Sequence, residues 1–104
     1  MSDDKCLLVI TVPPSLEDAL SDWLISQEQP IGFSSTPVNG HGEGHEGYTL
    51  AEQVRGSRRN IQFQIQTTQV RAREMLAGMQ HDFHHAELRY WIMPLLDGGR
   101  LSDL

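Results

Sequence analysis

Between Ile61 and Gln66 the chain alternates without a break: Ile61, Phe63 and Ile65 are apolar, and Gln62, Gln64 and Gln66 are amides. Side chains two apart share one side of a strand, so this segment predicts a strand with one dry and one wet face. The dry face then needs a covering layer, and with 104 residues there is material for one core and one domain spanning 1–104.

The flanking segments supply that layer. Residues 5–12, KCLLVITV, are aliphatic and β-branched and stop at Pro13 and Pro14, which predicts a first strand. Ser15 is positioned to cap a helix in which Leu16, Ala19, Leu20, Trp23 and Leu24 recur on one face, ending before Pro30. Residues 31–38 form a weaker strand that runs into a glycine-rich loop over 39–56, with Gly40, Gly42, Gly44 and Gly47. After the alternating strand, Thr67 or Thr68 caps a second helix carrying Ala72, Met75, Leu76, Met79 and Phe83, interrupted by Gly78. A last strand over 88–93 places Leu88, Tyr90 and Ile92 on one side and Arg89, Trp91 and Met93 on the other, and ends at Pro94.

The order strand, helix, strand, strand, helix, strand, with one apolar stripe per helix, predicts an α+β fold. The arrangement is a ferredoxin-like βαββαβ sandwich, an antiparallel four-stranded sheet with two helices on one face. The uncovered face would then hold Trp91, Met93 and either Leu8 or Ile10, which are poor residues to leave in water, so association of copies through that face is expected.

Charge and cysteine content narrow the function. Fourteen acidic against eight basic residues give a formal charge of −6, which repels phosphate backbones and argues against nucleic-acid binding. The longest apolar run, 7–10, is far short of the ~20 residues of a membrane-spanning helix. The start, with Asp3 and Asp4, lacks the basic region of a signal peptide, so a soluble, cytoplasmic protein is expected. The single cysteine, Cys6, lies within the first strand and reads as inert packing. No nucleophile elbow, phosphate loop of the GxxxxGK type or paired-cysteine metal motif is present, and a non-enzymatic protein is expected.

A more specific expectation comes from the loop. Val38, Asn39, Gly40, His41 and Gly42, followed by Gly47 and by Arg55 and Gly56, resemble the connection between strands two and three of the PII (nitrogen regulatory) signalling proteins. The stretch 40–58, GHGEGHEGYTLAEQVRGSR, is similar to a family of small PII-like proteins encoded beside heavy-metal efflux systems. That resemblance implies a homotrimer whose sheets face a three-fold axis, and a regulatory role in which the loop meets a protein partner, a transporter or its regulator. It also implies adenine-nucleotide clefts between subunits, with Gly40 and Gly42 at the loop base, Arg89 in place of a lysine, and Arg100 as the first C-terminal arginine. The chain departs from the pattern at Ala86 and Leu88, where glycines are expected, and at Ser102, where a second arginine is expected. Side chains at 86 and 88 obstruct a backbone cradle for phosphate.

Five histidines suggest a second chemistry. His41 and His45 sit in the loop near Glu43 and Glu46, and His81 and His85, with His84 between them, share a helix face if the second helix continues that far. Neutral imidazoles ligate zinc, copper and nickel, so a transition-metal effector is one reading and a metal-buffering protein with no signalling output is its rival. The same residues also suit a solvent-facing loop and a helix C-terminus, where histidine complements the dipole. In the regulatory reading, Arg55 and Arg58 contact an anionic group on the partner.

Overall fold

The computed structural model describes residues 4–29, 31–41 and 57–104. β1 (Lys5–Val12), β2 (Phe33–His41), β3 (Ser57–Thr68) and β4 (Arg89–Pro94) form one antiparallel sheet in the order β2-β3-β1-β4. Helices α1 (Glu17–Ile25) and α2 (Gln69–Asp82) complete the ferredoxin-like α+β fold expected from the sequence.

Register decides what each face carries. β1 pairs with β3 so that Leu8 lies opposite Ile65, Ile10 opposite Phe63 and Val12 opposite Ile61. Residues directly opposite share a face, so Cys6, Leu8, Ile10 and Val12 join Ile61, Phe63 and Ile65 under the helices, where they meet Leu20, Leu24, Ala72, Met75 and Met79. This corrects the expectation for the uncovered face: Leu8 and Ile10 belong to the core, and Leu7 and Val9 take the other side. An unbroken LLVI run does not reveal its own phase, and only the pairing with the alternating strand sets it.

The ends of the elements follow from local chemistry. The first helical segment begins with a 3-10 turn, Pro14–Leu16, and Ser15 lies inside it rather than capping it. Pro14 occupies a first-turn position, where its missing N–H costs nothing, and Glu17 and Asp18 complement the positive end of α1. For α2 the cap is Thr68, whose hydroxyl accepts from the Arg71 N–H at 3.2 Å. Arg71 in turn donates to the side-chain and backbone oxygens of Gln29, tying the chain after α1 to the start of α2.

β2 and β3 extend further than the sequence suggested. Asn39, Gly40 and His41, read as loop, are strand residues paired with Arg59, Arg58 and Ser57. β2 is an edge strand with mostly exposed side chains, so its own composition gives a weak signal, and it also tolerates Pro37. Phe33 anchors it, with its ring 5.9 Å from that of Phe63.

The two helices meet where α2 has no side chain. A Cβ added at Gly78 would lie 2.9 Å from Trp23 Cζ2, so this glycine admits the indole. Replacing Gly78 with alanine gains ~1 kcal/mol of helix propensity, but overcrowding of this kind typically costs ~1–3 kcal/mol. The Gly78→Ala variant is therefore expected to unfold at lower urea concentration than the parent, with an altered near-ultraviolet circular dichroism signal. An increase in midpoint would show that Trp23 moves aside freely.

Candidate functional site

At one end of the sheet β2 and β3 outrun their neighbours. β1 finishes at Val12, opposite Ile61, whereas β2 and β3 continue through the pairs Val38–Asn60, Asn39–Arg59, Gly40–Arg58 and His41–Ser57. This two-stranded arm carries His41, Arg58 and Arg59 and leads into residues 42–56. Gly42, His45 and Arg55, named from the sequence, lie outside the described residues. A Cβ at Gly40 would come 3.0 Å from the Asn60 side-chain nitrogen, so a side chain there would require the Asn60 amide to shift.

Arg89 belongs to the same end. It opens β4 opposite Thr11, which is itself opposite Gln62. Arg100 does not join it within the chain. The tail after β4 is held at the opposite end, where Leu95 N–H donates to Lys5 O at 3.1 Å and Lys5 Nζ donates to Gly98 O at 3.3 Å. Gly98 there lies beside Gln66, four residues along β3 from the Gln62 row. Gly40 and Arg89 thus lie toward one end of the sheet but on its opposite edge strands, β2 and β4, and Arg100 follows from the other end.

The face away from the helices is built in cross-strand rows. Ser34, Gln64, Val9 and Trp91 form one row, and Thr36, Gln62, Thr11 and Arg89 the next, with Gln66, Leu7 and Met93 beyond. Val9 is 2% exposed, while Trp91 and Met93 remain 41% and 43% exposed. Gln64 Nε2 donates to Gln62 Oε1 at 3.3 Å, and Thr11 Oγ1 is buried without a hydrogen-bond partner among the described residues. This face combines an apolar stripe along β1 and β4 with an amide ladder along β3.

On the helix side, a groove of about 460 Å3 opens between the second half of α2 and β4. Leu76, Phe83, Leu88 and Tyr90 give it an apolar floor, and Arg73 and His84 stand at it as polar groups. Sequence reasoning did not anticipate it, because its wall comes from two elements and the connection between them.

The histidines at the end of α2 serve the helix terminus. α2 stops at Asp82, so His85 lies in the following turn and does not share a helix face with His81. His84 Nδ1 lies 3.1 Å from the His81 carbonyl oxygen, and His84 and His85 stack edge to face with centroids 4.4 Å apart. Among the described residues, no group of three or more His, Cys, Asp or Glu side chains is placed to hold a metal ion. His81 instead contacts Asp82, Nδ1 to Oδ1, at 3.0 Å, and the Trp23 indole donates to the other carboxylate oxygen at 2.6 Å. No sequence signal links Trp23 to Asp82, 59 residues apart.

Compared with known families, residues 1–102 match the model of the family described as protein of unknown function (DUF3240). The chain belongs to that family. Among solved structures, a DUF3240 protein from Shewanella baltica OS155 is 28% identical and superposes with a TM-score of 0.77 over 98% of this chain and 100% of its own. The PII-like protein CPII from Thiomonas intermedia K12, solved with ADP, AMP and bicarbonate, is 14% identical. Its TM-score is 0.67 over 93% of this chain and 96% of its own. A putative PII-like signalling protein from Thermus thermophilus is 22% identical, with a TM-score of 0.58 over 91% of each chain. This DUF3240 chain therefore has the PII-like form of the ferredoxin-like fold. No curated protein matches it. Among the described residues, no helix is long and apolar enough to cross a membrane.

The Trp23–Asp82–His81 contacts carry a pH consequence. Hydrogen bonding from His81, then from Trp23, holds the Asp82 carboxyl below its ordinary value of 3.8, against a smaller opposing effect of desolvation. A carboxyl whose folded value is depressed stabilises the fold above its unfolded value and loses that contribution as pH falls through the folded one. The Asp82→Ala variant is expected to be less stable than the parent at neutral pH. The two should converge below pH 3.8, when unfolding is followed by tryptophan fluorescence across an acid series. A difference that persists unchanged at lower pH would refute the assignment.

Proposed function

We propose that this chain is a non-enzymatic PII-like regulatory protein that works in the cytoplasm as a homotrimer. An effector bound between subunits would change the conformation of the β2–β3 connection, which would then engage a protein partner. The observation that carries this reading is the coexistence, on one sheet, of an open face with Trp91 and Met93 and of an arm that carries Gly40, His41 and Arg58 to residues 42–56. The likeness of the fold to CPII, which was solved with ADP, AMP and bicarbonate, supports an adenine nucleotide as the class of effector to test.

In this reading Gly40, Arg89 and Arg100, drawn from neighbouring subunits, form the nucleotide cleft, with Gly42 at the loop base. Arg89 and Arg100 neutralise phosphate charge, and guanidinium pairs with phosphate oxygens in a fixed two-point geometry. His41 and His45 offer the alternative effector, a transition-metal cation, and Arg55 and Arg58 meet an anionic group on the partner. The resemblance of the loop to proteins encoded beside heavy-metal efflux systems makes a transporter or its regulator the partner to try first.

The test is calorimetric titration of metal-free protein with ADP, AMP and ATP and, separately, with zinc, copper and nickel, with the molar mass measured in the same buffer. Saturable nucleotide binding to a trimer is expected, weakened about tenfold or more in Arg89→Ala, as the loss of one charged contact of ~1.5–3 kcal/mol implies. Metal binding abolished by replacing His41 and His45 together would move the effector to the loop. A monomeric mass at micromolar concentration would refute the assembly. Trp91→Asp places a charge on the open face, on the edge strand β4, and is expected to give that monomeric mass by itself.

A further inference from the structure

The segment after β4 presents its apolar side chains to water. Leu96, Leu101 and Leu104 are 106%, 83% and 93% exposed, although Leu101–Asp103 forms a 3-10 turn. Single exposed leucines are ordinary on a protein surface, but three within nine residues of one ordered segment make a recognition sequence with nothing among the described residues to rest on. Elsewhere on the molecule, the groove between α2 and β4 has the complementary character. Its floor of Leu76, Phe83, Leu88 and Tyr90 is apolar, and Tyr90 is still 52% exposed. At about 460 Å3 it is within the ~300–1,000 Å3 of sites that take small ligands or side-chain anchors.

We propose that residues 96–104 of one copy seat in the α2–β4 groove of a second copy, with leucines as anchors; the proposal rests on the homo-oligomer reading above. Charge fits this occupant. The segment carries Asp97 and Asp103 against one arginine, Arg100, and the groove is lined by Arg73. The register argues against the chain filling its own groove. The tail is fastened on the open-face side at the Lys5 end, beside Gln66. The groove lies across the sheet on the helix side, at the level where Tyr90 pairs with Ile10. A tail exchanged in this way couples neighbouring subunits through the connection between α2 and β4 as well as through the sheet face. Apolar anchors from a short segment entering a groove are a common mode of recognition.

The experiment mixes two full-length variants, Gln80→Cys on the groove rim and Ser102→Cys on the tail, one of them enlarged by a tag, under mild oxidation. Cys6 is fully buried and stays out of the reaction. A disulfide between the two different chains is expected, with a several-fold lower yield when the groove-bearing chain also carries Ala77→Arg, an exposed position in the groove wall. As an independent measure, Leu101→Ser with Leu104→Ser should uncover the groove and raise binding of an anilinonaphthalene sulfonate dye, and Ala77→Arg should reverse that rise. No mixed disulfide from a preparation whose mass remains oligomeric would overturn the tail docking and leave the assembly standing. A monomeric mass would overturn both. Dye binding that is equally high in the parent would mean that the groove is open to a small apolar ligand and would also overturn the proposal.

Discussion

The pairing of β1 with β3 is the constraint on which the rest of the structure depends. Once Leu8 faces Ile65 and Ile10 faces Phe63, every second residue of both central strands is committed to the helix side, and the helices have only one surface on which to bury Leu20, Leu24, Met75 and Met79. A slip by one residue would turn the glutamines of β3 inward and strand their amides without water, at a cost of some ~1–3 kcal/mol for each unsatisfied group. β3 has a strict alternation and β1 does not, so the former dictates register to the latter.

The same register creates the surfaces on which function is proposed. The odd residues of β1 and β4 form a second apolar stripe, Leu7, Val9, Trp91 and Met93, on the side away from the helices, where Trp91 and Met93 stay partly exposed. The extra length of β2 and β3 beyond Val12 is an arm because β1 stops at two prolines, leaving the outer pair to continue alone. One interruption, Pro13 and Pro14, both closes the core and frees the arm.

Helix packing shows how a local weakness can be a tertiary requirement. Gly78 lowers the propensity of α2, yet it is the position at which the Trp23 indole crosses. The indole N–H then reaches Asp82, which with His81 finishes the helix. The histidines of this region have their hydrogen-bonding and stacking contacts within the terminus itself, which is why helical spacing alone overstated the likeness of His81 and His85 to a ligand pair: α2 stops before the second of them.

Sequence by itself determined the order of elements, the fold class and the inward residues of β3, because periodicity, proline and glycine act locally and each element declares its own apolar stripe. It also marked Gly40, His41, Arg58 and Arg89 as candidates, and it placed Trp91 and Met93 on the uncovered side. Only the tertiary structure decided the phase of β1, the true extent of β2, the Trp23–Asp82 contact, the separation of Arg89 from Arg100 and the groove beneath Tyr90. Each of these depends on residues far apart in the chain meeting across a sheet or between helices. Cross-strand register and interhelical fit are relations between segments, and no single segment carries them in its composition.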